Sequence, residues 1–273
     1  MTITVNKQQV KTFNFNGGEC HVTIENIEIG DVTSVETYLY NSDDIMRLLM
    51  VVDAIRQEKA QTQIDLIIPY FPYARQDRVC NKGEAFSAKV MAGIINDLDC
   101  QSVTVFDPHS KVVTDHLKNC HAVTQVDLVR GALAEFIKTR QLTLVSPDKG
   151  ATEKTQAVAD AFGFDVITCS KVRDPKKGLI THSEVHGDVR GKDLIILDDI
   201  CDGGRTFTEL AKVLKDHEAG ELYLYVTHGI FSKGLEVLKE HFTHVFCVHT
   251  FLTPDQIDTD FLTVIGKEKS DEN

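Results

Sequence analysis

The feature that most constrains the fold is a recurring order of short apolar runs, polar loops and helical patterns. The runs are rich in β-branched residues and lack polar alternation, which is typical of strands covered on both faces of a sheet. The pattern predicts strands at about 64–68, 103–106, 142–145, 165–169, 193–197, 222–227 and 244–248. It predicts helices at 43–59, 84–97, 128–139, 152–162, 206–218 and 232–240.

Strands that alternate with helices predict βαβ units and mainly parallel sheets, so the expected fold class is α/β. The pattern restarts near residues 125–130, although no Pro/Gly linker marks the position. We therefore expect two similar Rossmann-like halves, an N-terminal one over 1–127 and a C-terminal one over 128–273.

Charge and composition argue against several classes of function. The net charge of −12 argues against broad nucleic-acid or membrane binding. No apolar run approaches the roughly 20 residues that a membrane span needs. The seven cysteines include no CxxC pair, as expected for reduced thiols in a cytosol-like compartment. We expect a cytoplasmic protein without nucleic-acid or membrane partners.

Polar or charged clusters follow four of the predicted strands. They are the segment 70–78, His109, Asp148, and the pair Asp198 and Asp199. Ligands of parallel α/β sheets bind beyond the carboxyl ends of the strands. The convergence of four such clusters on strand ends predicts a ligand site there.

The stretch "DDICDGGRT" (198–206) has the residue types of a phosphate and sugar site. Gly203 and Gly204 would let backbone N–H groups point at a phosphate where the next helix begins. Asp198 and Asp199 would hold the hydroxyl groups of an attached sugar, directly or through Mg²⁺. The alternative is a capped helix start with solvated acids.

This stretch resembles the ribose-phosphate loop of the type I phosphoribosyltransferase fold. Further segments resemble, in order, those of the ribose-phosphate diphosphokinases, which are the phosphoribosyl pyrophosphate synthetases. They are "FNGGE" (15–19), "PYARQDR" (72–78), "FDPHS" (106–110), "VSPDKG" (145–150), "SKVRDP" (170–175) and "YVTHGIFS" (225–232). "PYARQDR" is highly specific. The chain is identified as a shortened, divergent member of that family.

The resemblance implies an ATP site in the N-terminal half. Phe15 and Glu19 would contact adenine and would come from a neighbouring subunit, so a homodimer or larger homo-oligomer is expected. ATP would also bind Arg75, Gln76 and Arg78, with Arg75 on the polyphosphate. A magnesium ion would be bound by His109, which would also be catalytic.

The resemblance places the acceptor and the catalytic flap in the C-terminal half. Asp148 would lie near the metal and the acceptor sugar. Lys171 and Arg173 would be the catalytic cations of a flap. The ribose-phosphate group would bind Asp148, Asp198, Asp199, Asp202, Gly203, Gly204, Arg205 and Thr206.

The reaction implied is transfer of the β,γ-diphosphoryl group of Mg·ATP to the anomeric hydroxyl of a 5-phosphorylated ribose, with release of AMP. The sugar O1 would attack the β-phosphorus while magnesium and the flap cations neutralise the developing charge. Two alternatives stay open: a phosphoribosyltransferase, and a non-catalytic regulatory homologue.

The acceptor is left open by a departure from the family pattern. The family loop usually has the order D-T-A-G-T, and this chain has a glycine at 203 and a long cation at Arg205. Removing a side chain and adding a guanidinium suits an acceptor extended beyond its 5-phosphate, such as ADP-ribose. Ribose 5-phosphate is the other candidate, with Arg205 on the terminal phosphate or in solvent.

Overall fold

The structure is a computed structural model that describes residues 3–173 and 180–265, except the side chains of 132, 171–173 and 180–183. The chain divides into two compact units, Met1–Val123 and Thr124–Asn273. The predicted boundary after residue 127 falls inside the first helix of the second unit. No helix within the described ranges is long and apolar enough to cross a membrane.

The first unit is built on a six-stranded sheet with the order β2-β1-β5-β6-β7-β8. Strands β5 to β8 are parallel, and β1 and β2 extend one edge in antiparallel pairing. A separate hairpin is formed by β3 and β4. The elements are β1 (Ile3–Val5), β2 (Gln8–Gln9), β3 (Lys11–Asn14), β4 (Cys20–Thr23), β5 (Val32–Thr37), α1 (Ser42–Glu58), β6 (Gln63–Ile68), α2 (Ser87–Asn96), β7 (Ser102–Phe106), α3 (Lys111–His116) and β8 (Cys120–Val123).

The second unit is built on a seven-stranded sheet with the order β11-β10-β9-β12-β13-β14-β15. All of its neighbours are parallel except the pair β10 and β11. The elements are α4 (Gln125–Val129), α5 (Ala132–Arg140), β9 (Thr143–Ser146), α6 (Thr152–Phe162), β10 (Val166–Arg173), β11 (Ile180–His186), β12 (Leu194–Cys201), α7 (Arg205–Asp216), β13 (Leu222–Gly229), α8 (Glu236–Lys239), a short 3₁₀ helix (Pro254–Gln256), β14 (His244–Thr250) and β15 (Leu262–Val264).

Each unit has its own apolar core. In the first, Leu66 and Ile68 of β6 pack in one cluster with Leu48 and Ile55 of α1. In the second, the first four residues of β12 and the whole of β13 are buried, as expected for central parallel strands. The α/β class with mainly parallel sheets is confirmed.

Three predicted features differ from the structure. Strands β1 to β5, β8, β11 and β15 were missed because each is short or has polar residues within its apolar run. The helix predicted over 128–139 is broken at Gly131, whose φ of 87° no helix adopts. The helix predicted over 232–240 is only Glu236–Lys239, because Phe231 and Gly234, with φ of 49° and 72°, form a turn before it.

Candidate active site

The first candidate region is a polar pocket of about 460 Å³ in the first unit. Strands β6 and β7 are parallel neighbours, so the loops that leave their carboxyl ends meet at one edge of the sheet. The structure thereby brings together four residues that the sequence predicts for ATP and magnesium. They line the pocket with others: Arg75, Gln76, Asp77, Arg78, Cys80, Glu84, Ala85, Ser87 and His109.

Backbone hydrogen bonds fix the loop that carries these arginines. Tyr73 has a φ of 63°, and its carbonyl accepts from Gln76 N at 2.9 Å. The Gln76 carbonyl in turn accepts from Ala88 N at 3.2 Å, which ties the loop to α2. The Glu84 carboxylate closes the following turn by accepting from the backbone N–H groups of Cys80 and Asn81 at 3.0 and 2.9 Å. The bond that Asn81 Nδ2 donates to Glu84 Oε1, together with these backbone bonds, lowers the pKa of Glu84.

The arrangement suits a polyphosphate. Arg78 is largely exposed, and its nearest acid, Asp77, lies 4.0 Å from its Nε. Guanidinium groups bind phosphate oxygens through paired N–H donors. His109 follows β7 after a bend at Asp107, whose φ is 39°. Among the described residues there is no group of three or more His, Cys, Asp or Glu side chains placed to hold a metal.

The predicted adenine contacts, Phe15 and Glu19, lie elsewhere in the same unit. They flank the tip of the β3–β4 hairpin, where Phe15 N donates to the Glu19 carbonyl at 2.8 Å. Phe15 is 53 % exposed, and Phe13 is 49 % exposed beside it, with ring centroids 4.9 Å apart. Within the described ranges, neither Phe15 nor Glu19 lines the polar pocket of its own chain.

The second candidate region is a group of carboxylates in the second unit. Strands β9 and β12 are parallel neighbours, so Asp148 follows one carboxyl end where Asp198 and Asp199 lie near the other. Asp148 Oδ1 accepts from Gly150 N at 2.9 Å and from Ala151 N at 3.2 Å. These bonds hold the Asp148 carboxylate at the start of α6.

The pKa of the Asp198 carboxyl group is raised. Burial raises its pKa well above the ordinary carboxyl value, and the charges of Asp199 and Asp148 raise it further. The bond from Asp199 N to Asp198 Oδ1, at 2.9 Å, acts in the opposite direction. Lys154, which the sequence interpretation missed, places Nζ 3.7 Å from Asp199 Oδ2. A group of acids with one cation is suited to hydroxyl donors.

The glycine turn lies between β12 and α7. Gly204 has a φ of 76°, and a Cβ there would lie 3.1 Å from Cδ2 of the buried Leu238. Backbone conformation and packing therefore both require glycine at this position. Gly203 lies outside the left-handed region, and a Cβ on it would meet Lys233 Cγ at 3.4 Å and Ser232 Oγ at 3.7 Å.

The loop after β13 supports this turn. Asp202 accepts from Ser232 twice, through its carbonyl from Ser232 N at 3.1 Å and through Oδ1 from Ser232 Oγ at 2.7 Å. Ile230 N donates to the Cys201 carbonyl at 2.8 Å. The sequence interpretation noted this segment only as a resemblance and assigned Ser232 and Lys233 no role.

Two predicted phosphate contacts stand at the start of α7. Arg205 is 87 % exposed, and its Nε donates to Glu209 Oε1 at 2.7 Å. Thr206 is half-buried. The first backbone N–H groups of any α-helix have no acceptor within the helix, which makes this position suitable for an anion.

The predicted flap cations, Lys171 and Arg173, belong to β10 by their backbone. Lys171 pairs with Ser183 and Arg173 with Ile180 across the antiparallel ribbon of β10 and β11. Their side chains, and all of residues 174–179, lie outside the described part of the chain.

Comparison with known proteins gives two matching family models. The model described as the N-terminal domain of ribose phosphate pyrophosphokinase matches residues 1–98. The model described as the phosphoribosyl transferase domain matches residues 115–257. Together they cover most of both units.

Curated relatives carry the same description. The ribose-phosphate pyrophosphokinase of Granulibacter bethesdensis is 33% identical over 215 residues, which is 77% of this chain and 68% of the relative. That of Hyphomonas neptunium is 32% identical over 239 residues, 85% of this chain and 74% of the relative. The crystal structure of phosphoribosylpyrophosphate synthetase from Mycobacterium smegmatis shares the fold, with a TM-score of 0.78 and 23% identity, over 93% of this chain and 85% of that one.

Proposed function

This chain belongs to the ribose-phosphate pyrophosphokinase family of enzymes, and on that premise we propose that it transfers the β,γ-diphosphoryl group of ATP to the anomeric hydroxyl of a 5-phosphorylated ribose, releasing AMP. The observation that carries the proposal is the pocket in which Arg75, Gln76, Arg78 and His109 meet. A phosphoribosyltransferase has no use for such an ATP pocket.

In the first unit, Arg75 and Arg78 bind the polyphosphate of ATP, and Gln76 contributes an amide beside them. Diphosphoryl transfer makes little covalent demand on the protein, so positioning and charge neutralisation dominate. The pocket supplies fixed donors for that purpose because hydrogen bonds to Tyr73 and Ala88 hold its loop.

In the second unit, Asp198 and Asp199 accept from the ribose hydroxyls, and the turn 202–206 binds the 5-phosphate. A neutral Asp198 would also donate a hydrogen bond, which its raised pKa favours. The resident metal would be Mg²⁺, which His109 would bind in the first unit and the Asp148 carboxylate would bind in the second. Mg²⁺ usually takes one or two protein ligands together with phosphate oxygens and water, and an Asp carboxylate fits that preference. When bound, it would neutralise charge on the phosphates.

We assign Lys171 and Arg173 the role of cations that neutralise the charge that develops on the transferred group. The support is the resemblance of their segment and its position on an edge ribbon of the sheet. Positioned cations of this kind commonly change the rate by 10²-fold or more.

Ribose 5-phosphate is the first candidate acceptor, because the relatives are described as ribose-phosphate enzymes. The ion pair of Arg205 with Glu209 reduces the case for Arg205 as a contact to an extended acceptor. The lack of a side chain at Gly203 keeps a 5′-extended ribose such as ADP-ribose as the second candidate.

A second copy of this chain would complete the ATP site. An apolar groove of about 380 Å³ between α1 and α2 shares Ala85 and Ser87 with the ATP pocket. We propose that the neighbour's hairpin tip binds along this groove, which would place Phe15 and Glu19 beside the adenine. The apolar lining matches the exposed phenylalanines, and the acidic Glu19 faces a rim that carries Arg75 and Arg78.

The test is release of AMP from ATP, followed by chromatography with ribose 5-phosphate, with ADP-ribose and with neither. We expect AMP and a diphosphorylated sugar only with an acceptor. A phosphoribosyltransferase would leave ATP intact and consume phosphoribosyl pyrophosphate with a base. A non-catalytic homologue would bind ATP and release no AMP, and either result overturns the proposal.

A further inference from the structure

Lys233 is a cation beside the glycine turn that neither the family resemblance nor the proposed function accounts for. A Cβ built on Gly203 would lie 3.4 Å from Lys233 Cγ, so the lysine stem occupies the space next to a residue that has no side chain. Lysine stems extend along a surface while the ammonium group reaches a polar partner. The ammonium group is therefore within reach of whatever the turn binds.

The backbone of Lys233 is held in place. Its neighbour Ser232 makes both hydrogen bonds to Asp202, at 3.1 and 2.7 Å. Gly234 N closes the turn by donating to the Phe231 carbonyl at 2.8 Å. Lys233 thus stands on a braced turn whose position is tied to residues 201–202.

The charge of Lys233 has different surroundings from the charges of the neighbouring cations. Arg205 is paired with Glu209, and Lys239 is paired with Glu236 and Asp258. Lys233 forms no ion pair with any residue of the described ranges. Of the described cations around the turn, Arg205 and Lys239 have carboxylate partners, and Lys233 has none within the described ranges.

We propose that Lys233 binds the phosphate of the acceptor, donating from Nζ to a phosphate oxygen held by the turn 202–206. The Lys233 ammonium group, which comes from the loop after β13, supplies the hydrogen-bond donor that a side chain at 203 would otherwise give. The inference rests on the proposed function in that the acceptor is a phosphorylated ribose. Lys233 is a substrate-binding residue that sets the affinity for the acceptor and leaves ATP binding unchanged.

The experiment compares Lys233→Met with Lys233→Arg and with Lys212→Met, which removes an exposed lysine from α7 away from the turn. A charge-assisted hydrogen bond to phosphate predicts that Lys233→Met raises the KM for the acceptor on the order of 10-fold. We expect the KM for ATP to stay within about 2-fold, Lys233→Arg to restore most of the acceptor affinity, and Lys212→Met to match wild type.

Calorimetric binding of ribose 5-phosphate and of ADP-ribose separates this inference from the proposed function. If wild type binds an acceptor without releasing AMP, the proposed function fails, and a weaker affinity of Lys233→Met still supports the inference. If Lys233→Met binds both sugars as wild type does, or raises the KM for ATP equally, the inference is overturned. A wild type that binds neither sugar overturns both.

Discussion

Arg205 Nε donates to Glu209 Oε1 at 2.7 Å, one helical turn further along α7. The pair is largely exposed and raises the pKa of Arg205. The sequence predicts that the Arg205 guanidinium contacts the substrate. The ion pair instead directs it toward a carboxylate of its own helix. Of the described cations beside the glycine turn, Lys233 is the one that we propose for the phosphate.

We expect Arg205→Ala to change kcat/KM for ribose 5-phosphate by less than about 3-fold, because exposed ion pairs contribute little. The measurement is kcat/KM for ribose 5-phosphate and for ADP-ribose in wild type and variant. A selective loss of 10-fold or more with ADP-ribose would restore Arg205 as a contact to an extended acceptor.

Arg75→Ala should raise the KM for ATP on the order of 10-fold or more, because it removes a forked donor from the polyphosphate. The control is Arg190→Ala, which removes an exposed guanidinium paired with Glu218 at 2.9 Å in the second unit. Steady-state kinetics with varied ATP are the measurement. If the KM for ATP were the same in both variants, Arg75 would not be a contact of ATP.

The two adjacent glycines should respond differently to substitution. Gly204→Ala should lower the free energy of unfolding by at least about 1–2 kcal/mol, because alanine is strained at a φ of 76° and its Cβ would crowd Leu238. Gly203→Ala should stay within about 0.5 kcal/mol of wild type. Urea unfolding measures the free energy of unfolding of both variants. Equal losses would contradict the expectation that only position 204 is sensitive to an added side chain.

Asp198→Asn should stabilise the protein without substrate at neutral pH and lower its activity. Because the folded-state pKa of Asp198 is raised, ionisation opposes folding, and stability is lost as the pH rises from the unfolded pKa of about 3.9 through the folded value. The difference in Tm between variant and wild type should therefore grow from pH 4 to neutral pH.

Asp258→Asn is the control for this pH dependence. Its hydrogen bond with Lys239 lowers the pKa of Asp258, so its contribution is present above the unfolded pKa and is lost as the pH falls. The Asp258→Asn variant should show no gain in Tm at neutral pH. A gain of the same size in both variants would show that the effect comes from net charge alone.

Self-association should depend on the hairpin tip. We expect wild type to sediment as a dimer or larger assembly at micromolar concentration. The double variant Phe13→Ser and Phe15→Ser should shift toward monomer and bind ATP more weakly. Val32→Ser, which changes another exposed apolar residue of the same unit, is the control. A fully active wild-type monomer would contradict the shared site.

The fold was predictable where burial left a clear pattern. Central strands such as β12 and β13 show as continuous apolar runs because helices cover both faces. The helix breaks at Gly131 and Gly234 were not predictable, because a glycine within a helical pattern does not reveal whether its φ is positive.

The site was predictable as a set of residue types at strand ends, and the structure brings Arg75, Gln76, Arg78 and His109 to one pocket. The partners of individual charges were not predictable. Nothing in the order of residues distinguishes Arg205, which is paired with Glu209, from Lys233, whose stem lies beside the same turn from the loop after β13. Pairing of this kind depends on side-chain directions in three dimensions.

The contrast between Gly203 and Gly204 has a consequence for how such an enzyme could diverge. The backbone conformation at 204 and the nearby Leu238 disfavour any side chain there, so a substitution at 204 would disturb the hydrophobic core. Position 203 faces only the flexible stem of Lys233 and the hydroxyl of Ser232. Single substitutions at 203 could therefore change which acceptors bind while leaving the fold intact.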